Sequence, residues 1–110
     1  MYKLMLPFCL LLAVVSNAQQ YHLLIGTYTN AGSEGIYTYR FDPKTGEATT
    51  NSSVKTSNPS YLAVSPDNKY VYAVNSDNAG MVSAFQFNKQ DGSLKFLNQV
   101  TSAGAGPCYI

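Results

Sequence analysis

From residue 21 onward, short segments of alternating apolar and polar residues are separated by turn-forming residues. Alternation with a period of two residues is the pattern of a β-strand. Beyond residue 18, no stretch carries an apolar stripe at the 3.6-residue spacing of a helix, so this part of the chain is predicted to be all-β. The predicted strands are Tyr21–Thr29, Gly35–Phe41, Glu47–Thr56, Ser60–Ser65, Tyr70–Asn75, Met81–Phe87 and Leu94–Val100.

The turns between these strands have specific chemistry. In the segment 42–46, Asp42 starts a hairpin turn, Pro43 presets φ, and Gly46 takes the left-handed position. Further turns are expected at 66–69, 77–80 and 88–92. The strand predicted at 47–56 is polar, which indicates an outer strand.

The order of these elements repeats along the chain. The segment Ile36–Gly46 aligns with Val82–Gly92, 46 residues later, and Asn58–Tyr61 aligns with Gly106–Tyr109, 48 residues later. A period of this length carrying four short strands is typical of β-propeller blades, which stack because one blade cannot cover both of its faces. Since propellers typically have four to eight blades, residues 19–110 are expected to hold about two four-stranded blades of a larger ring. The alternative is a two-sheet sandwich of hairpins.

The first eighteen residues differ from the rest. Lys3 precedes the twelve-residue apolar stretch Leu4–Val15, and small residues at 16 and 18 follow it. This pattern predicts a secretory signal peptide at 1–18, cleaved after Ala18, and hence export to the periplasm or the cell exterior. Twelve apolar residues are too few to span a membrane, which takes about 20, so no stable membrane anchor is expected. An uncleaved anchor or a buried segment is the alternative.

Charge and ligand-forming residues exclude several classes of function. The chain has seven basic and six acidic residues without a basic cluster, so nucleic-acid binding is not expected. Its one histidine, His22, is interpreted as an exposed edge residue rather than a base. Cys108, the one cysteine beyond the apolar stretch, is expected to be buried; pairing with a cysteine beyond residue 110 and action as a nucleophile are the alternatives. No group of residues has the spacing of metal ligands, so neither a metal nor a cofactor is predicted.

Several motifs of the chain occur in an order and spacing typical of one known family: Gly26–Thr29, Gly35–Phe41, Asn58–Asp67, Tyr70–Asn75, Gly80–Phe87 and Gly104–Tyr109. Together they resemble the bacterial 6-phosphogluconolactonase-type lactonase family over residues 22–110. The resemblance implies a seven-bladed propeller that hydrolyses a sugar lactone without a cofactor, and that is a monomer when full length. Such chemistry needs a base to activate water and donors for the developing oxyanion.

The chain departs from the family pattern at two positions. Ser76 stands where the family often has Glu, and Tyr109 stands where it often has His. The resemblance implies that the catalytic His, Arg and acidic residues lie beyond Ile110. The catalytic residues are therefore unknown from this chain.

In a propeller, two kinds of loop open on the ligand-binding face: the loops that enter the innermost strands and the loops that join the second and third strands. A small set of residues is expected on this face. Asn and Ser would hydrogen-bond to sugar hydroxyls, and Tyr would offer a stacking face. Asp77, Cys108 and Tyr109 are expected on the same face. The alternative is that 58–60 only turns the chain and that the tyrosines pack between blades. The candidate ligand-binding residues are Tyr28, Asn58, Ser60, Tyr61, Asn75 and Ser76.

The sequence thus predicts a lactone hydrolase acting on a sugar or sugar-acid lactone, with a small-molecule lactone or carbohydrate as its partner. Export and the lack of a basic cluster favour an unphosphorylated aldonolactone. The alternative is a non-catalytic exported propeller that binds a carbohydrate or a protein, because the fold by itself does not determine the function.

Overall fold

The computed structural model describes residues 19–110, so the signal peptide predicted at 1–18 lies outside the described residues. Within residues 19–110 the secondary structure consists of β-strands without a helix, as predicted, and it therefore contains no helix long and apolar enough to cross a membrane. The strands are β1 (Tyr21–Gly26), β2 (Gly35–Phe41), β3 (Ala48–Lys55), β4 (Pro59–Val64), β5 (Tyr70–Asn75), β6 (Met81–Phe87) and β7 (Leu94–Thr101).

These strands form two separate antiparallel sheets. The first has the order β1-β2-β3 and the second the order β4-β5-β6-β7, so each strand pairs with its neighbours in sequence. Strands of the two repeat copies are not interleaved in one sheet, which is the arrangement that the repeat predicts. The polar strand β3 lies at an edge of its sheet, as expected.

The repeat is visible in the backbone as well as in the sequence. The pairing register shifts between Thr38 and Tyr39 in the first sheet, and between Ala84 and Phe85, 46 residues later, in the second. In this repeat β2 corresponds to β6. The strand before it, β1, therefore corresponds to β5, and the strand after it, β3, corresponds to β7. The first sheet therefore contains no counterpart of β4 within residues 19–110, and one edge of β1 has no pairing strand there.

The hydrophobic core lies between the two sheets. Ile36 of the first sheet and Val71, Ala73 and Phe85 of the second form one fully buried cluster. β1 lies against β4 and β3 against β7, so the sheets pack face to face. Burial of each large apolar side chain contributes about 1.5–3 kcal/mol, so this cluster stabilises the packing of the two sheets. Partly buried residues surround the cluster: Leu24, Val54, Leu62, Phe87 and Leu94.

The outward face of the first sheet is also apolar. Along β1, Tyr21, Leu23 and Ile25 are exposed, whereas the alternate residue Leu24 packs against the core. A sheet with two apolar faces is what a blade with a neighbour on either side requires.

A polar contact holds the β6–β7 turn against the first sheet. His22 Nε2 hydrogen-bonds to the carbonyl oxygen of Lys89 at 2.9 Å, and Asn51 Nδ2 donates to the carbonyl oxygen of Asp91 at 2.6 Å. Gly92 adopts φ 73°, and a Cβ at this position would collide with the His22 ring. The prediction that His22 is exposed is therefore wrong: the turn covers it and leaves it half-buried.

The repeat supplies a matched pair of variants for testing this contact. Gly46 and Gly92 occupy equivalent turn positions with φ 76° and 73°, but a Cβ on Gly46 would meet nothing within 4 Å. In full-length protein, Gly46→Ala is expected to lower the free energy of unfolding by about 1 kcal/mol, because of the left-handed backbone alone. Gly92→Ala is expected to lower the free energy of unfolding by about 1–3 kcal/mol more than Gly46→Ala, because its Cβ also collides with the His22 ring. Urea denaturation measures both values. Equal losses for the two variants would mean that the turn does not rest on His22.

Candidate functional site

The strand registers place a set of loops at one end of both sheets. Gly26 pairs with Ile36 and Pro59 with Asn75, so the loops beyond these residues lie at the same end. We call this end the loop face; it comprises residues 27–34, 56–58, 76–80 and 102–110. The opposite end, the turn face, comprises residues 42–47, 65–69 and 88–93. All the sequence-predicted ligand-binding residues lie on or next to the loop face.

Asn58 ties three segments of the loop face together. Its Oδ1 accepts hydrogen bonds from the backbone N–H of Thr29, at 2.8 Å, and from the Thr29 hydroxyl, at 3.1 Å. Its Nδ2 donates to Oδ1 of Asp77 at 2.6 Å. The residue has φ 41°, a left-handed conformation that Asn tolerates better than most residues. Both polar atoms of this side chain are thus engaged within the protein, and its role is to position the loops.

Asn75 is fully buried at the end of β5 and makes a second such network. Its Nδ2 donates to the Thr56 hydroxyl, at 3.0 Å, and to the Ser57 carbonyl oxygen. Its Oδ1 accepts from the Ser83 hydroxyl, at 2.6 Å, and from Gln99 Nε2, at 3.2 Å. An amide side chain has two donors and one acceptor oxygen with two lone pairs, so the hydrogen-bonding capacity of Asn75 is fully used.

Ser60 and Ser76 form a hydroxyl pair between β4 and the β5–β6 loop. Ser76 Oγ donates to the carbonyl oxygen of Pro107 at 3.0 Å. Because a hydroxyl carries one proton, Ser60 then donates to Ser76 and keeps its lone pairs free. Ser60 is exposed, so it is placed to accept a hydrogen bond from a ligand hydroxyl.

Three tyrosines present aromatic surface at this end. The rings of Tyr61 and Tyr109, which occupy equivalent repeat positions, have centroids 4.8 Å apart and are tilted by 52°. Tyr61 is 39% exposed, Tyr109 76% and Tyr28 60%. Exposed rings of this kind give the apolar face and polar tip that sugars stack against.

A cavity that the sequence did not indicate lies at the loop face of the first sheet. It has a volume of about 270 Å³, and the residues that border it are Thr29, Ser33, Glu34, Lys55, Thr56 and Ser57. The Glu34 carboxylate accepts a hydrogen bond from the Ser53 hydroxyl. The signal that could have revealed it is the repeat, since the loop 27–34 is the counterpart of 76–80.

Two further findings concern reactive groups. Cys108 is exposed, with Sγ 3.1 Å from the carbonyl oxygen of Gly106, so the prediction of its burial is wrong. The described residues after β7 form bends and loop without a strand. Among residues 19–110, no three His, Cys, Asp or Glu side chains are grouped so that they could hold a metal ion.

The family model of the lactonases with a seven-bladed β-propeller matches residues 22–110. The chain therefore belongs to this lactonase family, as the motifs predicted. Since each blade of such a propeller is a four-stranded sheet, the second sheet of the structure is one complete blade.

Individual relatives agree with this assignment. The chain is 38% identical over 88 residues to a 6-phosphogluconolactonase of Bacillus subtilis, covering 78% of this chain and 25% of the relative. A solved Pseudomonas aeruginosa periplasmic gluconolactonase shares 36% identity and a TM-score of 0.78, with 82% of this chain and 27% of that chain covered. A solved Bacteroides uniformis protein proposed to be a 6-phosphogluconolactonase shares 46% identity and a TM-score of 0.80, with 84% and 27% covered. The chain thus spans about a quarter of the length of these relatives.

The positioning role of Asn58 can be separated from ligand binding. In the full-length protein, Asn58→Ala is expected to lower the free energy of unfolding by about 2–3 kcal/mol, because it removes bonds to Thr29 and to the charged Asp77. Ser57→Ala is the control, since it removes one 3.2 Å bond to the same carboxylate, and it is expected to cost about 0.5–1.5 kcal/mol. Urea denaturation measures both. A stable Asn58→Ala protein with weakened lactone binding would instead identify Asn58 as a ligand-binding residue.

Proposed function

We propose that the full-length protein is an exported lactone hydrolase that opens the ring of a sugar or sugar-acid lactone. The observation that carries the proposal is the lactonase-family match over residues 22–110, with relatives named 6-phosphogluconolactonase and gluconolactonase. In this reaction water attacks the lactone carbonyl carbon while a base takes a proton from the water. The bond from that carbon to the ring oxygen then breaks, and the ring oxygen receives a proton and becomes a hydroxyl group.

Residues 19–110 are proposed to supply one part of the substrate-binding surface of the ring. Ser60 offers free lone pairs to a sugar hydroxyl, and Tyr28 and Tyr61 offer exposed rings. The hydrogen bonds described above position the segments that carry these groups; they are made by Asn58, Asn75 and Ser76. The base and the oxyanion donors are proposed to come from other blades, because the chain corresponds to about a quarter of its relatives.

An unphosphorylated aldonolactone is the proposed substrate. One acidic residue, Glu34, and one basic residue, Lys55, border the loop-face cavity, so the residues that line it have no net formal charge. A lining without net charge and rich in hydroxyl groups suits an uncharged polyol better than a phosphate, which is bound best where several cations outnumber the carboxylates. The periplasmic relative from Pseudomonas aeruginosa supports a substrate found outside the cytoplasm.

Titration of released acid tests the reaction directly. The full-length protein is expected to hydrolyse glucono-δ-lactone faster than the spontaneous reaction, with a higher kcat/KM than for the 6-phosphate of the same lactone. A preference for the phosphorylated lactone would contradict the proposed substrate. Rates equal to spontaneous hydrolysis on both lactones would contradict the proposed reaction, and measurable carbohydrate binding in that case would indicate a non-catalytic propeller.

Substitutions of exposed tyrosines test the loop face. Tyr61→Ala is expected to raise KM by about tenfold or less, because an aromatic contact contributes about 0.5–1.5 kcal/mol, whereas Tyr61→Phe retains the ring and most of the affinity. Tyr70→Ala is the matched control: Tyr70 is 38% exposed but begins β5 at the turn face. An equal rise in KM for Tyr70→Ala would mean that Tyr61 does not contact the substrate.

Export and processing form part of the proposal. Removal of residues 1–18 would leave a mature chain beginning at Gln19. Mass spectrometry of the protein recovered from the periplasm or medium is expected to find this N-terminus. Recovery of the protein with Met1 retained in the membrane fraction would indicate an uncleaved anchor.

A further inference from the structure

The turn face carries a second concave surface, at the opposite end of the second sheet from the candidate lactone site. It is a cavity of about 450 Å³ between the β4–β5 turn and the β6–β7 turn. This volume lies within the range of about 300–1,000 Å³ that small-molecule sites occupy. Three of the five lysines in residues 19–110 border it: Lys69, Lys89 and Lys95.

Hydrogen bonds within and between the two turns fix the walls of this cavity. The backbone N–H of Phe87 donates to the carbonyl oxygen of Lys69 at 2.8 Å and so joins the first turn to the end of β6. In the second turn, the N–H of Gln90 donates to Oδ1 of Asn88 at 3.0 Å. The carbonyl group of Lys89 is held from the first sheet by His22. The two turns that wall the cavity are therefore positioned before any ligand arrives, which limits the backbone entropy lost on binding.

The charges that border the cavity are unbalanced. Three lysines border it against one acidic residue, Asp67, and the pKa of Asp67 is lowered by hydrogen bonds from the Ser65 hydroxyl and from the backbone N–H of Lys69. Asp67 Oδ2 lies 4.0 Å from Lys69 Nζ, and both side chains are mainly exposed, so this ion pair is weak. Within the described residues, Lys89 and Lys95 form no ion pair. The lining thus carries a formal charge of about +2.

The remaining lining groups suit an oxyanion. Gln86 and Gln90 also border the cavity, and glutamine side-chain amides can donate hydrogen bonds. The carboxylate of Asp91, in the same turn, accepts from the backbone N–H of Ser93 at 2.8 Å and from Asn88 Nδ2 at 3.2 Å, so it is engaged within its own turn.

We propose that this turn-face cavity is a binding site for a tetrahedral oxyanion borne on a sugar-sized molecule, namely a phosphate or sulfate ester. It is separate from the loop face and does not depend on the proposed lactonase reaction. Three lysines around a preformed cavity with amide donors bind such a group through charge-assisted hydrogen bonds, which are stronger than those between neutral groups.

Anion titration of the full-length protein tests this site, with inorganic phosphate and inorganic sulfate as separate probes at constant ionic strength. Isothermal titration calorimetry is expected to show that Lys89→Gln and Lys95→Gln each raise the apparent Kd by about tenfold, the effect of losing one charged contact. Lys44→Gln is the matched control, because Lys44 lies in the equivalent turn of the first sheet, outside this cavity, and its substitution changes the net charge equally. The Lys44→Gln variant is expected to bind each anion with the same Kd as the unsubstituted protein.

The outcomes are distinguishable. Weaker binding of phosphate, of sulfate or of both by the two cavity variants supports the site. The anion whose Kd rises shows whether the ligand is a phosphate ester or a sulfate ester. Absence of binding by the unsubstituted protein would overturn the proposal. An equal loss with Lys44→Gln would also overturn it, since the anion would then respond to net charge rather than to the cavity. Lactone hydrolysis is not the readout, so failure of this site leaves the proposed function untouched.

Discussion

The structure depends on the need of each sheet to have both of its apolar faces covered. Ile36 from the first sheet fits among Val71, Ala73 and Phe85 of the second, and none of these side chains is exposed to solvent. This contact fixes how the two sheets face each other. It thereby brings the connecting loops of both sheets to one end and the tight turns to the other. A candidate site exists because loops that are distant in sequence meet where the sheets end.

The two ends of the sheets differ in chemistry as a consequence. At the loop face, Asn58 and Asn75 use their amide groups to join segments of the chain, and this leaves Ser60 and the exposed ring of Tyr61 free to meet a ligand. At the turn face, lysines border a preformed cavity with little opposing charge. A neutral surface rich in hydroxyl and aromatic groups and a cationic cavity suit different ligands, so one pair of sheets can present two kinds of binding surface.

Much of the fold could be predicted from local patterns, because strand alternation and turn chemistry act over a few residues. The strands at 35–41, 70–75 and 81–87 have the predicted bounds, and Gly46 has the predicted left-handed φ of 76°. The internal roles of candidate site residues could not be predicted in the same way. Asn75 accepts a hydrogen bond from Gln99, which lies 24 residues further along the chain. Only the pairing of the strands brings such residues together, so local sequence patterns do not predict the bond. For the same reason the sequence did not reveal the cavity formed by Lys69, Lys89 and Lys95.

The most direct test of the face-to-face packing is a double-mutant cycle in the full-length protein between Ile36→Val and Phe85→Leu, measured by urea denaturation. Since both side chains belong to one buried cluster contributed by the two sheets, we predict a coupling energy of at least about 0.5 kcal/mol. The control cycle pairs Ile36→Val with Leu97→Ala, because Leu97 is 45% exposed and lies outside that cluster, and its effects should add. Additive effects for Ile36 and Phe85 as well would contradict the packing of the two sheets on which the account rests.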